Sequence, residues 1–297
     1  MNTYRAFGLT ISSSFSISQL PCVDAEHVDV RIIKSRLPVV QQDSAIMMVN
    51  AGQYQFSYPG IALFRITNGN LIEVDPAPNC TESHLSVYLM GTCMGAIQYQ
   101  RGIMMLHGSC VTDGKRSILL TGDSGAGKST LAAEFLRRGW KLITDDVSAL
   151  YDIEGVPMVQ SSYPSQKLWQ DALDRYERPE SDIHSLYFSE SREKFGVDVT
   201  RFFYDGRAPL SMVVRLIPGA EACALEPIEG MTKVDQLMRN TYRPEMIEKQ
   251  NVQRHFQRCV TLSTKIPMAV VTRMDGEDCA GRMYDLITTF LEEKHHD

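Results

Sequence analysis

Gly122-Asp123-Ser124-Gly125-Ala126-Gly127-Lys128-Ser129 is a complete phosphate-binding loop of the form G-x-x-x-x-G-K-[ST]. The run Ser117-Ile118-Leu119-Leu120-Thr121 before it reads as a buried strand. Leu131-Ala132-Ala133-Glu134-Phe135-Leu136 after it has helical spacing and closes at Gly139. Glycines let the backbone curl with its N–H groups pointing inward around a phosphate chain. The expected cradle is Gly122, Asp123, Ser124, Gly125, Ala126, Gly127, Lys128, Ser129 and Thr130. Lys128 would reach the β- and γ-phosphates and the Ser129 hydroxyl would ligate Mg²⁺, so ATP with Mg²⁺ is the expected ligand pair. A plain glycine-rich surface turn would not require the flanking strand and helix.

One helix further on, Trp140-Lys141-Leu142-Ile143-Thr144 predicts a strand that ends in Asp145-Asp146. Such a strand should lie beside or near the P-loop strand and deliver both carboxylates to the γ-phosphate. One can bind Mg²⁺ while the other accepts a proton from an attacking hydroxyl. The metal's charge would lower the pKa of the carboxylate that binds it and leave its neighbour more basic. An Asp-Asp turn or a helix N-cap is the plainer alternative. The short separation from the P-loop favours phosphoryl transfer to an alcohol over mechanical hydrolysis.

Upstream, Met104 to Val111 reads as a strand, and Thr112-Asp113-Gly114-Lys115 as the hairpin turn that feeds the P-loop strand. The segments Leu106-His107-Gly108, Leu120 to Ser129, Arg138-Gly139 and Thr144-Asp145-Asp146 follow in an order and spacing that resembles the HPr kinase/phosphorylase family. The resemblance covers roughly residues 100 to 150. It implies an α/β (α+β) fold, with the P-loop on a mixed sheet flanked by helices and related to phosphoenolpyruvate carboxykinase. It also implies roles: Asp145 falls on the catalytic base, Asp146 on its partner near the metal, and His107 on a histidine beside that aspartate. An imidazole there can hold a proton position or stabilise developing charge, and closing a strand beside a glycine turn is its plainer reading.

The family's Pro-Gly-Arg-Asn turn and Glu-x-Ala-Ala-Met-Asn segment, linked to phosphorolysis, have no counterpart in Ala208 to Ala224. The stretch Asn240-Thr241-Tyr242-Arg243-Pro244 instead resembles stand-alone HPr-kinase-like proteins found with ribosomally made peptides, notably lasso peptides. That resemblance implies a serine of a precursor peptide as phosphate acceptor. HPr itself, a small metabolite, or a non-catalytic module gated by nucleotide are the alternatives. A metabolite kinase would need an arginine-rich lid, for which Ser189 to Tyr204, with Arg192, Lys194 and Arg201, is the candidate loop; solvated surface charge is the plainer reading of those three.

At 297 residues and a net charge of −6, the chain reads as a soluble globular protein without the basic excess of a nucleic-acid binder. Seven cysteines without CxxC spacing and a start without a long apolar run suggest a reduced cytoplasmic setting. No stretch reaches the eighteen or so apolar residues of a membrane span. Texture divides the chain into a β-rich N-terminal module over 1–95, for substrate or homo-oligomer contacts, and a P-loop catalytic domain over 96–297. Helices are expected over His84 to Gln98, Gln166 to Tyr176, Lys233 to Arg239, Pro244 to Cys259 and Gly276 to Lys294, with a late strand over Lys265 to Arg273.

Overall fold

Side-chain alternation and left-handed turn residues build the first sheet. Its strands are β1 (Asn2–Ala6), β2 (Leu9–Ser13), β3 (Val30–Lys34), β4 (Met47–Asn50), β5 (Gln53–Tyr58), β6 (Ala62–Thr67) and β7 (Leu71–Pro76), in the spatial order β1-β2-β3-β7-β6-β5-β4. The coordinates are a computed structural model that describes residues 1–38, 47–50, 52–170, 173, 183–189, 192–274 and 279–296. On β6 every second residue, Ala62, Phe64 and Ile66, points into the core. Asn68 and Gly69, both at positive φ, close the tight turn into β7.

The helix expected over His84 to Gln98 is present, but not as one regular element. It runs as α1 (Glu82–Tyr88), a π turn (Leu89–Cys93) and α2 (Met94–Gln100), and Thr81 accepts the N-terminal His84 N–H. Gly95 has no room for a side chain: a Cβ there would lie 2.8 Å from the ring of Tyr242. Leu89, Met90, Met94 and Ile97 share one core with Phe64, Val74, Met105, Val147 and Tyr242. The first sheet is thereby packed continuously onto the segments that carry the site.

The second sheet contains β8 (Met104–His107), β9 (Ser109–Thr112), β10 (Ser117–Thr121), β11 (Lys141–Thr144), β12 (Val147–Ile153), β13 (Val156–Gln160), and the later β17 (Arg207–Ile217), β18 (Ala224–Ile228) and β19 (Met268–Thr272). The P-loop strand β10 lies between antiparallel β9 and parallel β17, which makes the sheet mixed. All five of its residues are buried, because both faces are covered. Ile118 and Leu120 face α3 (Lys128–Arg137) and a C-terminal helix, while Leu119 faces α4 (Met231–Arg239) and α5 (Val252–Lys265). The C-terminal helix, α6, spans Ala280–His296. β11 pairs with β9 and so stands one strand away from β10, parallel to it. Among the described residues no helix is long and apolar enough to cross a membrane.

Two expectations are corrected. Gln166 to Tyr176 does not begin as a helix: Ser165–Trp169 is strand β14, with Gln166 and Leu168 buried in alternation. Of the rest, Gln170 and Leu173 are helical and most of the segment lies outside the described residues. Ser189 to Tyr204 is not an open loop, since Arg192–Asp198 is strand β16, paired on one side with β14 and on the other with β15 (Ile183–Ser189). Residues 190 and 191 lie outside the described residues.

Candidate active site

The P-loop forms because its glycines occupy backbone space closed to other residues. Gly122, Gly125 and Gly127 have φ of 134°, 83° and 100°. A Cβ at Gly122 would also stand 2.7 Å from the Leu216 carbonyl oxygen on β17. Lys128, at the start of α3, folds back to donate from Nζ to the carbonyls of Gly122 (2.8 Å) and Asp123 (3.0 Å). Arg273, beyond the end of β19, grips the loop from outside through the Ala126 (3.1 Å) and Gly125 (3.3 Å) carbonyls. Thr130 lies in the first turn of α3 and Ser124 at the exposed tip of the loop.

The two carboxylates are carried on a seam where the second sheet curls. On one side β8 turns through Gly108 into β9; on the other β11 turns through Asp145-Asp146 into β12. The turns face each other, with the Gly108 N–H donating to the Asp146 carbonyl at 3.2 Å. Gly108 is required here, because a Cβ would lie 2.5 Å from the Leu120 carbonyl oxygen. Asp146 takes a left-handed φ of 75°, which directs its side chain away from that of Asp145. Left-handed non-glycine residues cost about 1–3 kcal/mol and gather at functional positions.

Asp145 points inward. It is 5% exposed and accepts from Ser109 Oγ, from Ser129 Oγ at 3.2 Å and from the Lys167 backbone N–H at 2.7 Å. Asp146 is partly exposed, with Lys167 Nζ at 2.7 Å and His107 Nδ1 at 3.5 Å. Burial works against the charge of Lys167, but the adjacent Asp146 carboxylate outweighs it and holds the ammonium above the usual lysine pKa. Tyr242 closes the back of this group; burial, then the Asp146 charge, pushes its phenol up to about 12.

The two carboxylates contact different groups from those the sequence reading placed beside each. Asp145, expected as the base, contacts the P-loop serine; Asp146, expected at the metal, stands beside His107. The physical reason is the left-handed turn at Asp146, which sequence spacing does not register. A hard cation suits Ser129 Oγ and Asp145 Oδ1, two oxygen donors on one side of the P-loop lysine. The described residues contain no cluster of three or more His, Cys, Asp or Glu that could hold a metal.

The expected lid residues fall on a strand and a turn of the third sheet region. Arg192 and Lys194 belong to β16, and Arg201 is exposed in the turn Thr200–Phe202 without a hydrogen bond or ion pair to the P-loop among the described residues. Besides Lys128, the described residues bring Lys167 and Arg273 to the site, neither of which the sequence singled out. Lys167 arrives on β14, and a strand pattern over Ser165–Trp169 was its available signal. The Asn240–Tyr242 stretch is also brought in. It runs along β8, with His107 N–H donating to the Asn240 carbonyl (2.7 Å) and Tyr242 N–H to that of Met105 (3.0 Å). Asn240 Oδ1 accepts the Gly122 N–H at 3.3 Å, which ties this stretch to the P-loop.

Residues 102–170 match the HPr Serine kinase C-terminal domain family. Among curated proteins, an HPr kinase/phosphorylase of Clostridium beijerinckii is 48% identical over 50 residues, 17% of either chain. One of Clostridium acetobutylicum is 41% identical over 58 residues, 20% of this chain and 19% of that relative. The chain thus spans less than a fifth of the length of these curated relatives. A solved Hpr(Ser) kinase/phosphatase from Coxiella burnetii aligns over 65% of this chain and 93% of its own, at 12% identity and a TM-score of 0.37. Over residues 102–170, which carry the P-loop, hairpin and Asp pair, the chain is similar to HPr kinases.

Proposed function

We propose that this chain, HPr-kinase-like through its P-loop segment, is an ATP-dependent kinase that phosphorylates a serine hydroxyl of a peptide or small protein. The observation that carries the reading is the separation of the two carboxylates. Asp145 is engaged with the P-loop serine, and Asp146 stands partly exposed beside His107 and Lys167. Phosphoryl transfer uses one group to hold the metal and a second to orient and deprotonate the nucleophile, and the resemblance to serine kinases makes that nucleophile an alcohol.

In this reading the P-loop amides and Lys128 hold the phosphates, with Lys128 leaving its carbonyl partners to do so. Ser129 and Asp145 would hold Mg²⁺, which supplies charge neutralisation between the β- and γ-phosphates when bound. Asp146 accepts a hydrogen bond from the acceptor hydroxyl and takes its proton as the new O–P bond forms and the bond to the β-phosphate oxygen breaks. Phosphoryl transfer asks for positioning more than for a strong base, so a carboxylate held by Lys167 suits the task. His107 lies on the same side and can stabilise the protonated carboxyl through its ring nitrogen.

The acceptor is assigned by resemblance: Asn240 to Pro244 is similar to kinases of ribosomal, lasso-type precursor peptides, and the phosphorolysis signature has no counterpart. Incubation with Mg·ATP and, separately, HPr, free serine and a serine-containing precursor peptide, followed by mass spectrometry, tests it. A phosphate-sized gain on the peptide supports the reading. A gain on HPr alone or free serine alone removes the peptide and keeps the kinase; ADP release that ignores all acceptors removes the kinase as well.

A further inference from the structure

Outside the phosphate site, a cavity of about 140 Å³ opens between β5, the C-terminal end of α2 and the start of α5. That is well above the ~10–15 Å³ that one ordered water requires. Its walls include Tyr54, Gln100, Glu248, Arg254, His255 and Arg258. These come from stretches far apart in sequence, so the cavity exists only in the folded chain.

Its wall carries two arginines against one carboxylate. Arg254 and Arg258 stand one turn apart on α5, at the i, i+4 spacing where like charges repel. Burial, then the Arg254 charge, pulls the Arg258 pKa below the usual guanidinium value. Neither arginine forms an ion pair with a carboxylate among the described residues. One acid also lines the wall, Glu248, whose oxygens accept from the Gly52 N–H (3.0 Å) and from Gln250 Nε2 (2.6 Å). It also takes a hydrogen bond from Tyr54, whose phenol burial and that carboxylate push up to about 12. His255 adds no charge at neutral pH, since burial and then Arg258 lower its pKa. Arg258 is steadied by one bond, from Nη1 to the Gly102 carbonyl at 2.5 Å. Among the described residues, its other donors and the Arg254 guanidinium make no further hydrogen bond or ion pair.

We propose that this cavity binds an oxyanion, a carboxylate or phosphate group, held between Arg254 and Arg258. Planar guanidinium forks match the paired oxygens of both groups, and one bound anion would neutralise two repelling cations. The proposal stands independently of the kinase reading. The two sites are nonetheless adjacent through one short segment: His255 Nε2 lies 2.8 Å from Thr241 Oγ1, and the neighbouring Asn240 holds the Gly122 N–H of the P-loop.

Calorimetric titration of inorganic phosphate into the full chain tests it, with Lys128→Ala as the background so that the P-loop does not dominate. The variant is expected to retain a phosphate site whose affinity falls with added salt. Adding Arg254→Gln and Arg258→Gln should weaken that site about tenfold or more, as loss of charge-assisted bonds requires. Arg254→Gln alone, at an exposed position, guards against misfolding of the pair and should weaken binding severalfold. Displacement of phosphate by acetate would show that carboxylates share the site; failure of acetate to compete would restrict it to phosphate esters or free phosphate. Absence of phosphate binding in Lys128→Ala, or undiminished binding after loss of both arginines with melting temperature intact, overturns the proposal.

Discussion

Replacing Asp146 by asparagine removes the counter-charge of a lysine with almost no access to water. Lys167 Nζ lies 2.7 Å from Asp146 Oδ2, with the lysine side chain 12% exposed and the carboxylate 26%. Removing one partner of a buried pair costs about 3–5 kcal/mol, and the partial exposure of Asp146 sets the lower end, about 3 kcal/mol near neutral pH. The pH dependence discriminates further. In the native chain the Lys167 pKa is raised, with Asp146 overcoming the burial term. Stability from a raised lysine is fully present below its unfolded value of about 10.4 and is lost only as pH rises through the higher folded value. Lys167 therefore contributes a flat term across neutral pH. In Asp146→Asn burial, the largest influence, is no longer opposed by that carboxylate and should drive the folded pKa below the unfolded one. Stability should then fall as pH falls, by up to about 1.4 kcal/mol per unit between those two values. Urea unfolding of both proteins from about pH 6 to 9 reads the slope. Asp146→Asn/Lys167→Met should recover most of the loss and flatten the profile, because an apolar residue of similar length needs no partner. Parallel pH profiles for native and Asp146→Asn chains, or no recovery in the double variant, would refute the argument.

Other positions give separable outcomes. Lys128→Ala should reduce ATP turnover by about 100-fold or more, since it removes the side-chain cation of the phosphate cradle; steady-state kinetics measures this. Asp145→Asn and Ser129→Ala should both raise the Mg²⁺ concentration needed for half-maximal rate. Asp146→Asn should leave that concentration unchanged and lower transfer by about 100-fold or more, and a Mg²⁺ titration of the three variants separates the roles. Gly108→Ala places a methyl 2.5 Å from the Leu120 carbonyl, a backbone atom without a rotamer to change. It should destabilise the chain by about 2–3 kcal/mol in chemical unfolding.

Local pattern made much of the site legible. The run Ser117 to Gly139 specified strand, loop and helix because glycine spacing and apolar periodicity act over a few residues, and the structure has β10, the P-loop and α3 where they were expected. The hairpin at Thr112 to Lys115 was equally readable: Asp113 caps it by accepting from the Lys115 and Arg116 N–H groups. The readings failed where pairing partners are distant. Ser165–Trp169 carries helix-compatible residues yet becomes a strand, because β16 and the seam at Asp145 satisfy its backbone groups. Arg192, Lys194 and Arg201 drew attention as nearby charges, whereas chain closure over long range brings in Lys167 and Arg273.

The sequence by itself determined that a phosphate-binding loop, a histidine hairpin and a pair of carboxylates stand in fixed order, since each is encoded by residues in immediate succession. Only the tertiary structure decided which carboxylate faces which partner. That choice rests on the left-handed backbone of Asp146, on a lysine delivered from β14, and on a glycine seam where a side chain would strike the neighbouring strand. The lysine and the glycine seam are contacts between segments that sequence separates, and the turn at Asp146 is held between them, so the energies that fix this arrangement arise only when the sheet has curled and closed.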